Sequence, residues 1–107
     1  MLGWITTGPK TKQLEKEISE FVHTDKTECL NSATAAMEMV LHLLGVGPGD
    51  EVIVPAYTYM ATASVVTHVG AKVVMDYDQL ADAITEKTKV IVPVNLGCIL
   101  KKTQIAF

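Results

Sequence analysis

Glu28-Cys-Leu-Asn-Ser-Ala-Thr-Ala-Ala-Met37 is the stretch of sequence that decides the fold of this chain. Its first part is a short apolar run, from which we predict a strand over Thr27–Leu30. A long apolar pattern follows, from which we predict a helix over Thr34–Leu44. Asn31 and Ser32 stand at the junction, where their side-chain oxygens can accept hydrogen bonds from the first amides of a helix. The stretch therefore predicts a strand that turns directly into a helix.

The residues that begin this predicted helix are small, namely Ala33, Thr34, Ala35 and Ala36. Small side chains leave the backbone amides accessible, and the helix dipole favours an anion at this end, so a phosphate group fits here. The alternative is that Asn31 or Ser32 only caps the junction, which is the commoner use of such residues. The residues by themselves leave both interpretations open.

Strand and helix patterns alternate along the rest of the chain. We predict strands over Glu51–Val54, Lys72–Met75 and Lys89–Val94, and helices over Lys10–Val22, Tyr57–Val69 and Tyr77–Thr85. This alternation is typical of the α/β class, with a parallel sheet covered by helices. Ligands of such sheets bind at the carboxyl ends of the strands. The residues predicted at those ends are Asn31-Ser32, Tyr57-Thr58-Tyr59 and Asn95.

The predicted helix over Thr34–Leu44 is apolar almost all round, so we expect it to be buried on most sides. Glu38 and His42 are its polar exceptions. They stand one helical turn apart, and we interpret them as an i, i+4 pair rather than as catalytic groups.

Composition excludes several classes of function. The chain has 107 residues and a net charge of −3, with 49% hydrophobic residues. It therefore has the size of one domain, and it lacks the basic patch that a nucleic-acid partner needs. No segment has the pattern of a membrane span, a signal peptide or a metal site. Cys29 and Cys98 are too few for a disulfide framework, so we expect a cytoplasmic protein in which Cys29 is a small buried hydrophobe.

Several segments, taken together in their order and spacing, resemble the sequence pattern of a known protein family. They are Thr7-Gly8-Pro9, Leu30–Ala36, Gly47–Pro55, Tyr57–Ala63 and Ile91–Val94. Together they resemble the nucleotide-sugar aminotransferases of the DegT/StrS family, which are fold type I enzymes dependent on pyridoxal 5'-phosphate (PLP). The resemblance runs from about Gly3 to Val94. It implies a partial three-layer α/β/α large domain with a mainly parallel sheet.

The resemblance also implies roles for particular residues. The family's Ser-Gly/Ala-Thr turn holds the phosphate of PLP, and here that turn is Ser32-Ala33-Thr34. The aromatic residue of the family's Pro-x-x-Thr-aromatic motif lies over the PLP ring, and here it is Tyr59. The implied partners are a nucleotide sugar and an amino-acid donor, as used in polysaccharide biosynthesis.

The sequence also departs from the family. The family's Schiff-base lysine, and the carboxylate that pairs with the pyridine nitrogen, lie well beyond Val94. Lys101 and Lys102 lack the context of that lysine, so no catalytic residue is assigned. Residues 95–107 no longer follow the family pattern. We therefore expect residues 1–107 to form a single incomplete large-domain fragment that is inactive alone.

Two other functions compete with this interpretation. The resemblance implies that the strand Thr27–Leu30 lacks its usual sheet neighbour, and an open edge could bind a partner chain or a second copy of this chain. The protein would then be a non-enzymatic remnant or an interaction module. A small nucleotide-binding domain is the third option, but the chain has neither a G-x-G-x-x-G nor a P-loop motif.

Overall fold

The computed structural model describes residues 7–75 and 80–94. The helices are α1 (Pro9–Val22), α2 (Ala33–Leu43), α3 (Ala61–His68) and α4 (Leu80–Ala83), and the strands are β1 (Glu51–Ile53), β2 (Lys72–Val74) and β3 (Thr88–Ile91). The chain divides into two compact units, Met1–Ser32 and Ala33–Phe107. The predictions that concern Asn95, Cys98, Lys101, Lys102 and the tail over residues 95–107 lie outside the described residues.

The first unit contains α1, which confirms the helix predicted over Lys10–Val22. Gly8 precedes the helix in an extended conformation, and Pro9 occupies the first turn, where its missing N–H costs no hydrogen bond. His23 ends the helix in the left-handed region, with its backbone N–H donating to the carbonyl of Ser19. None of the residues of α1 is buried.

The strand predicted over Thr27–Leu30 is wrong, because the structure has no strand there. Side chains of α1 bond to this segment instead. Ser19 Oγ donates to Thr27 Oγ1 over 2.9 Å, and the backbone N–H of Cys29 donates to Glu15 Oε1 over 2.9 Å. Cys29 is exposed in the structure, so its predicted burial is also wrong.

The second unit is built on a parallel sheet with the strand order β2-β1-β3. This confirms the prediction that the last three strands form one parallel sheet. The central strand β1 is buried along its whole length, as expected for a continuous apolar run with a neighbour on each side. Each observed strand is shorter than predicted at its carboxyl end, and β3 begins one residue earlier, at Thr88.

One face of this sheet carries the core of the second unit. Its buried members are Leu41, Val46, Val52, Val54, Val65, Val66, Val69 and Ala71. Val52 and Val54 point to the same face because strand side chains alternate, and α3 packs on this face beside β2. Burying a valine side chain stabilises the fold by about 1.5–3 kcal/mol, so this cluster is the main source of stability in the unit.

Helix α2 packs against α3. Leu41 is its only buried residue, and the side chains of Val40 and Leu43 are exposed. The prediction that this helix is buried on most sides is therefore wrong, because within the described residues only one of its faces meets the core. Glu38 does not pair with His42 as predicted. Its Oε2 lies 3.0 Å from Nδ1 of His68 on α3, so this side-chain contact joins the two helices.

Hydrogen bonds between side chains stabilise the amino-terminal edge of the sheet. The largely buried carboxylate of Glu51 accepts hydrogen bonds from Lys72 Nζ over 2.8 Å and from Thr85 Oγ1 over 2.7 Å. The hydrogen bond from Lys72, and to a lesser degree the one from Thr85, hold the pKa of Glu51 below its usual range. The network connects the start of β1 to the start of β2 and to the turn before β3.

A second contact closes the turn between α2 and β1. Asp50 Oδ2 accepts from the backbone N–H of Gly47 over 2.9 Å and from Lys89 Nζ over 3.3 Å. Both bonds, led by the one from Gly47, lower the pKa of the Asp50 carboxyl group. Lys89 also donates to the carbonyl of Gly45 over 2.7 Å. These contacts occupy the amino-terminal edge, so the carboxyl-terminal edge is the one that can present a ligand site.

The helix predicted over Tyr57–Val69 is shorter in the structure, since α3 begins at Ala61. The residues from Ala56 to Met60 form an exposed or half-exposed turn between β1 and α3. The predicted helix over Tyr77–Thr85 corresponds to α4, which ends at Ala83. Residues 77–79 of that prediction lie outside the described residues.

Candidate functional site

The start of α2 has the features of an anion site. Ala33 is its first residue and is exposed, and Thr34 is half-buried. The first amides of an α-helix have no acceptor inside the helix, and they carry the positive end of its dipole. No acidic residue stands in this first turn to repel an anion. The amides of Ala33 and Thr34 can therefore donate to a phosphate group.

Ser32, the other predicted phosphate residue, directly precedes Ala33 in the sequence and is exposed. It is the last residue of the first unit, whereas Ala33 and Thr34 belong to the second. Thr34 and Tyr59 therefore belong to the same compact unit, whereas Ser32 belongs to the other unit.

Tyr59 lies in the turn after β1, at the carboxyl-terminal edge of the sheet. Its side chain is 80% exposed, and that of Tyr57 is 75% exposed. The backbone of Tyr59 is held, because its carbonyl accepts from the N–H of Thr62 over 3.0 Å. An aromatic side chain whose ring faces are exposed, on a residue whose backbone is fixed, can stack on a flat heterocycle. The stacking role that the resemblance implies for Tyr59 stays a prediction.

Sequence reasoning missed one residue beside this turn. Thr62 is 5% exposed, and its Oγ1 lies 3.1 Å from Oγ1 of Thr58. The signal that could have found it is the spacing of two threonines four positions apart, where a polar turn becomes a helix. Both hydroxyl groups lie in the segment that presents Tyr59.

The lysines in the described part of the second unit stand far along the strands from this turn. Lys72 is the first residue of β2 and pairs with Glu51. Lys87 precedes β3, and Lys89 is bound to Asp50 in the turn before β1. All belong to the amino-terminal edge of the sheet. Within the described residues of this unit, the lysine side chains with printed partners, Lys72 and Lys89, bond at the amino-terminal edge.

The part of the chain that the structure describes contains neither a metal cluster nor a membrane-spanning helix. No group of three or more His, Cys, Asp or Glu side chains there could hold a metal ion. None of the helices in these ranges has the length and apolar character needed to cross a membrane. A shallow groove of about 490 Å³ lies along α2, and its lining residues are Ala35, Glu38, Met39, His42 and Leu43.

The partial α/β unit with its parallel three-stranded sheet has the fold of solved fold type I PLP-dependent aminotransferases. Residues 2–100 match the DegT/DnrJ/EryC1/StrS aminotransferase family. The chain belongs to this family, which confirms the resemblance found in the sequence.

Individual relatives agree with this assignment. The chain is 46% identical over 103 residues to the UDP-4-amino-4-deoxy-L-arabinose–oxoglutarate aminotransferase of Shewanella sediminis (strain HAW-EB3), covering 87% of this chain and 26% of that protein. It is 41% identical over 105 residues to the spore coat polysaccharide biosynthesis protein SpsC of Bacillus subtilis (strain 168), covering 89% of this chain and 27% of that protein.

A solved structure shows the same fold. The putative sugar aminotransferase Spr1654 from Streptococcus pneumoniae is 64% identical, with a TM-score of 0.77 over 83% of this chain and 25% of that chain. It has been solved in PLP, PMP and apo forms. The chain thus spans about a quarter of the length of the relatives that it matches.

Proposed function

We propose that this chain is the N-terminal part of a PLP-dependent aminotransferase of nucleotide-sugar or polysaccharide biosynthesis. It supplies the half of the cofactor site that binds the phosphate and stacks on the ring. The residues that form this half-site are Ser32, Ala33, Thr34 and Tyr59. The observation that carries the proposal is the exposed start of α2, with small residues and no acidic side chain in its first turn, in a chain of this family.

The phosphate end of the half-site acts through hydrogen bonds and charge. The amides of Ala33 and Thr34 donate, and the hydroxyl group of Thr34 adds a donor that can rotate towards an anion. Each hydrogen bond to a charged group is worth about 1.5–3 kcal/mol. The dipole of α2 adds a favourable interaction with the negative charge at the same place.

The ring end of the half-site acts by stacking. Tyr59 presents its ring while the carbonyl of its backbone is held by the N–H of Thr62. Aromatic pairs of this kind contribute about 0.5–1.5 kcal/mol beyond the area that they bury. Binding by this half-site alone is therefore weak, non-covalent and led by the phosphate.

Bound PLP supplies an electron sink for moving an amino group between an amino acid and a keto sugar. A lysine amine that reacts with the cofactor is the other requirement of covalent PLP catalysis. The lysines of the second unit that the structure describes stand at the opposite edge of the sheet. We therefore propose that the 107-residue chain positions the cofactor but does not catalyse transamination by itself.

The test compares two neighbouring tyrosines. Tyr59→Ala and Tyr57→Ala remove rings of similar exposure from the same turn, so they form a matched pair. The ligand is pyridoxamine 5'-phosphate (PMP), which has the ring and phosphate of PLP but no aldehyde to react with surface lysines. Isothermal titration should show that Tyr59→Ala raises the Kd by about two- to tenfold and that Tyr57→Ala leaves it unchanged. Equal effects of both variants would refute the assignment of Tyr59.

A second candidate function rests on the sheet itself. In the order β2-β1-β3, each outer strand pairs on one side only within the described residues. Such edges can take up a strand from another chain. Light scattering of the purified chain separates the two candidates. A monomer that binds PMP would support the cofactor half-site. A stable dimer that does not bind PMP would support the interaction module.

A further inference from the structure

The turn that presents Tyr59 is closed by two bonds that meet at one residue. The backbone N–H of Thr62 donates to the carbonyl of Tyr59 over 3.0 Å. The side chain of the same Thr62 shares a hydrogen bond with Thr58, with 3.1 Å between the two Oγ1 atoms. Thr62 therefore bonds to Tyr59 itself through its backbone N–H and to the preceding Thr58 through its hydroxyl group.

We propose that Thr62 is a positioning residue for Tyr59, acting through its hydroxyl bond to Thr58. The inference rests on the proposed function of Tyr59 as the ring that stacks on the cofactor. It adds a residue that does not touch the cofactor but fixes the direction of the ring that does. Thr62 is neither part of the phosphate turn nor an aromatic group.

Burial explains why the hydroxyl group of Thr62 matters. The residue is 5% exposed, so its hydroxyl group has little access to water and depends on a protein partner. A buried hydroxyl without a partner is costly, which favours the conformation in which Thr58 and Thr62 are bonded. Thr58 is only half-buried. The buried residue, Thr62, is therefore the fixed member of the pair, and its hydroxyl bond restrains Thr58 in the turn.

Exposure explains why Tyr59 needs this restraint. With 80% of its side chain open to solvent, the ring has little packing of its own to set its direction. Its orientation follows from the backbone of the turn, which continues into α3 through bonds from the N–H groups of Ala63 and Ser64 to the carbonyl of Met60. A looser turn would leave the ring in place but spread it over more orientations, so fewer molecules would be ready to stack.

The experiment uses the 107-residue chain with Thr62→Val, which keeps the shape and removes the hydroxyl group. Thr62→Ser restores a hydroxyl group, so it should rescue the effect. Thr67→Val is the matched control on the same helix. Thr67 is exposed, and its Oγ1 donates to the carbonyl of Ser64 over 2.7 Å, away from the turn.

Two readouts are measured. The first is amide hydrogen exchange at Thr62 and Ala63, which we expect to become about fivefold faster or more in Thr62→Val and to stay unchanged in Thr67→Val. The second is a double-mutant cycle on the Kd for PMP with Tyr59→Ala. We expect Tyr59→Ala to weaken binding by about two- to tenfold in the parent chain and by clearly less in the Thr62→Val background.

A merely structural role for Thr62 would make the two substitutions additive. The same fold-change for Tyr59→Ala in both backgrounds would therefore overturn the inference while leaving the proposed function standing. A parent chain that does not bind PMP would overturn the proposed function instead. Amide exchange then decides the inference by itself, since unchanged exchange in Thr62→Val refutes the restraint and faster exchange supports it.

Discussion

Replacing Ala33 by proline removes one proposed phosphate donor with little disturbance to the helix. Ala33 is the first residue of α2, a position where proline is favoured because its fixed φ suits a helix start. The preceding Ser32 lies outside the helix, as the residue before a proline prefers. Pro9 already occupies the first turn of α1 in this chain. Ala33→Pro should therefore fold with α2 intact and lack the amide of residue 33.

The expected loss follows from one hydrogen bond. The amide of Ala33 is at the exposed end of a helix that has no acidic residue in its first turn, so a bond from this amide to phosphate would be charge-assisted and unopposed. Such a bond is worth about 1.5–3 kcal/mol. Since about 1.4 kcal/mol corresponds to tenfold in affinity, the Kd for PMP should rise by about ten- to a hundredfold.

The assay is isothermal titration of the chain with PMP, alongside circular dichroism to verify the helix content. Ala33→Ser is the control, because it changes the side chain at the same position and keeps the amide. It should bind PMP within about twofold of the parent chain. An Ala33→Pro variant that retains its helix content and binds PMP as tightly as Ala33→Ser would refute the phosphate assignment.

Three further predictions concern the stability and activity of the chain. Ile53→Ala removes a fully buried side chain of the central strand and should lower the free energy of unfolding by about 2–5 kcal/mol in urea titrations, whereas Ile84→Ala, at a side chain that is 51% exposed, should cost clearly less. Equal losses would contradict the burial of β1. Because the pKa values of Glu51 and Asp50 are lowered, the stabilisation from these carboxylates is present near neutral pH and is lost as the pH falls from their ordinary pKa values through the lowered ones. Glu51→Gln should therefore make the acid dependence of the unfolding midpoint less steep, and an unchanged slope would speak against this network. Finally, the chain should show no transamination with glutamate and a keto nucleotide sugar, and turnover that a PLP scavenger abolishes would disprove its inactivity.

Much of the second unit could be predicted because its local patterns and its tertiary packing agree. The continuous β-branched run at Glu51–Val54 predicts a strand buried on both faces, and β1 is buried throughout. The breakers from Gly45 to Asp50 predict the turn before it, where Asp50 accepts from the N–H of Gly47. In such segments no competing interaction overrides the pattern.

The strand predicted over Thr27–Leu30 failed for a tertiary reason. A segment of four residues forms a strand only when a neighbouring strand satisfies its backbone groups. Here the N–H of Cys29 donates to the carboxylate of Glu15, a partner that local periodicity does not reveal. A side chain of α1 thus replaced the strand neighbour that the prediction required.

For the candidate site, the sequence names residues but does not reveal the contacts that support them. Tyr59 was found from the family motif, yet its predicted helix began four residues too early, because the pattern of Tyr57-Thr58-Tyr59 does not show where the first helical hydrogen bond forms. The contact of Glu38 with His68 spans two helices, so the i, i+4 spacing with His42 gave the wrong partner. The sequence did not point to Thr62, because its proposed role in positioning Tyr59 depends on burial, which the sequence does not specify.

The most direct measurement of the central claim compares the affinities of the chain for PMP and for pyridoxamine, which differ only by the phosphate group. If the start of α2 holds that phosphate, PMP should bind at least about tenfold more tightly, and inorganic phosphate should compete with it. Equal affinities for PMP and pyridoxamine, with no competition by inorganic phosphate, would contradict the phosphate half-site.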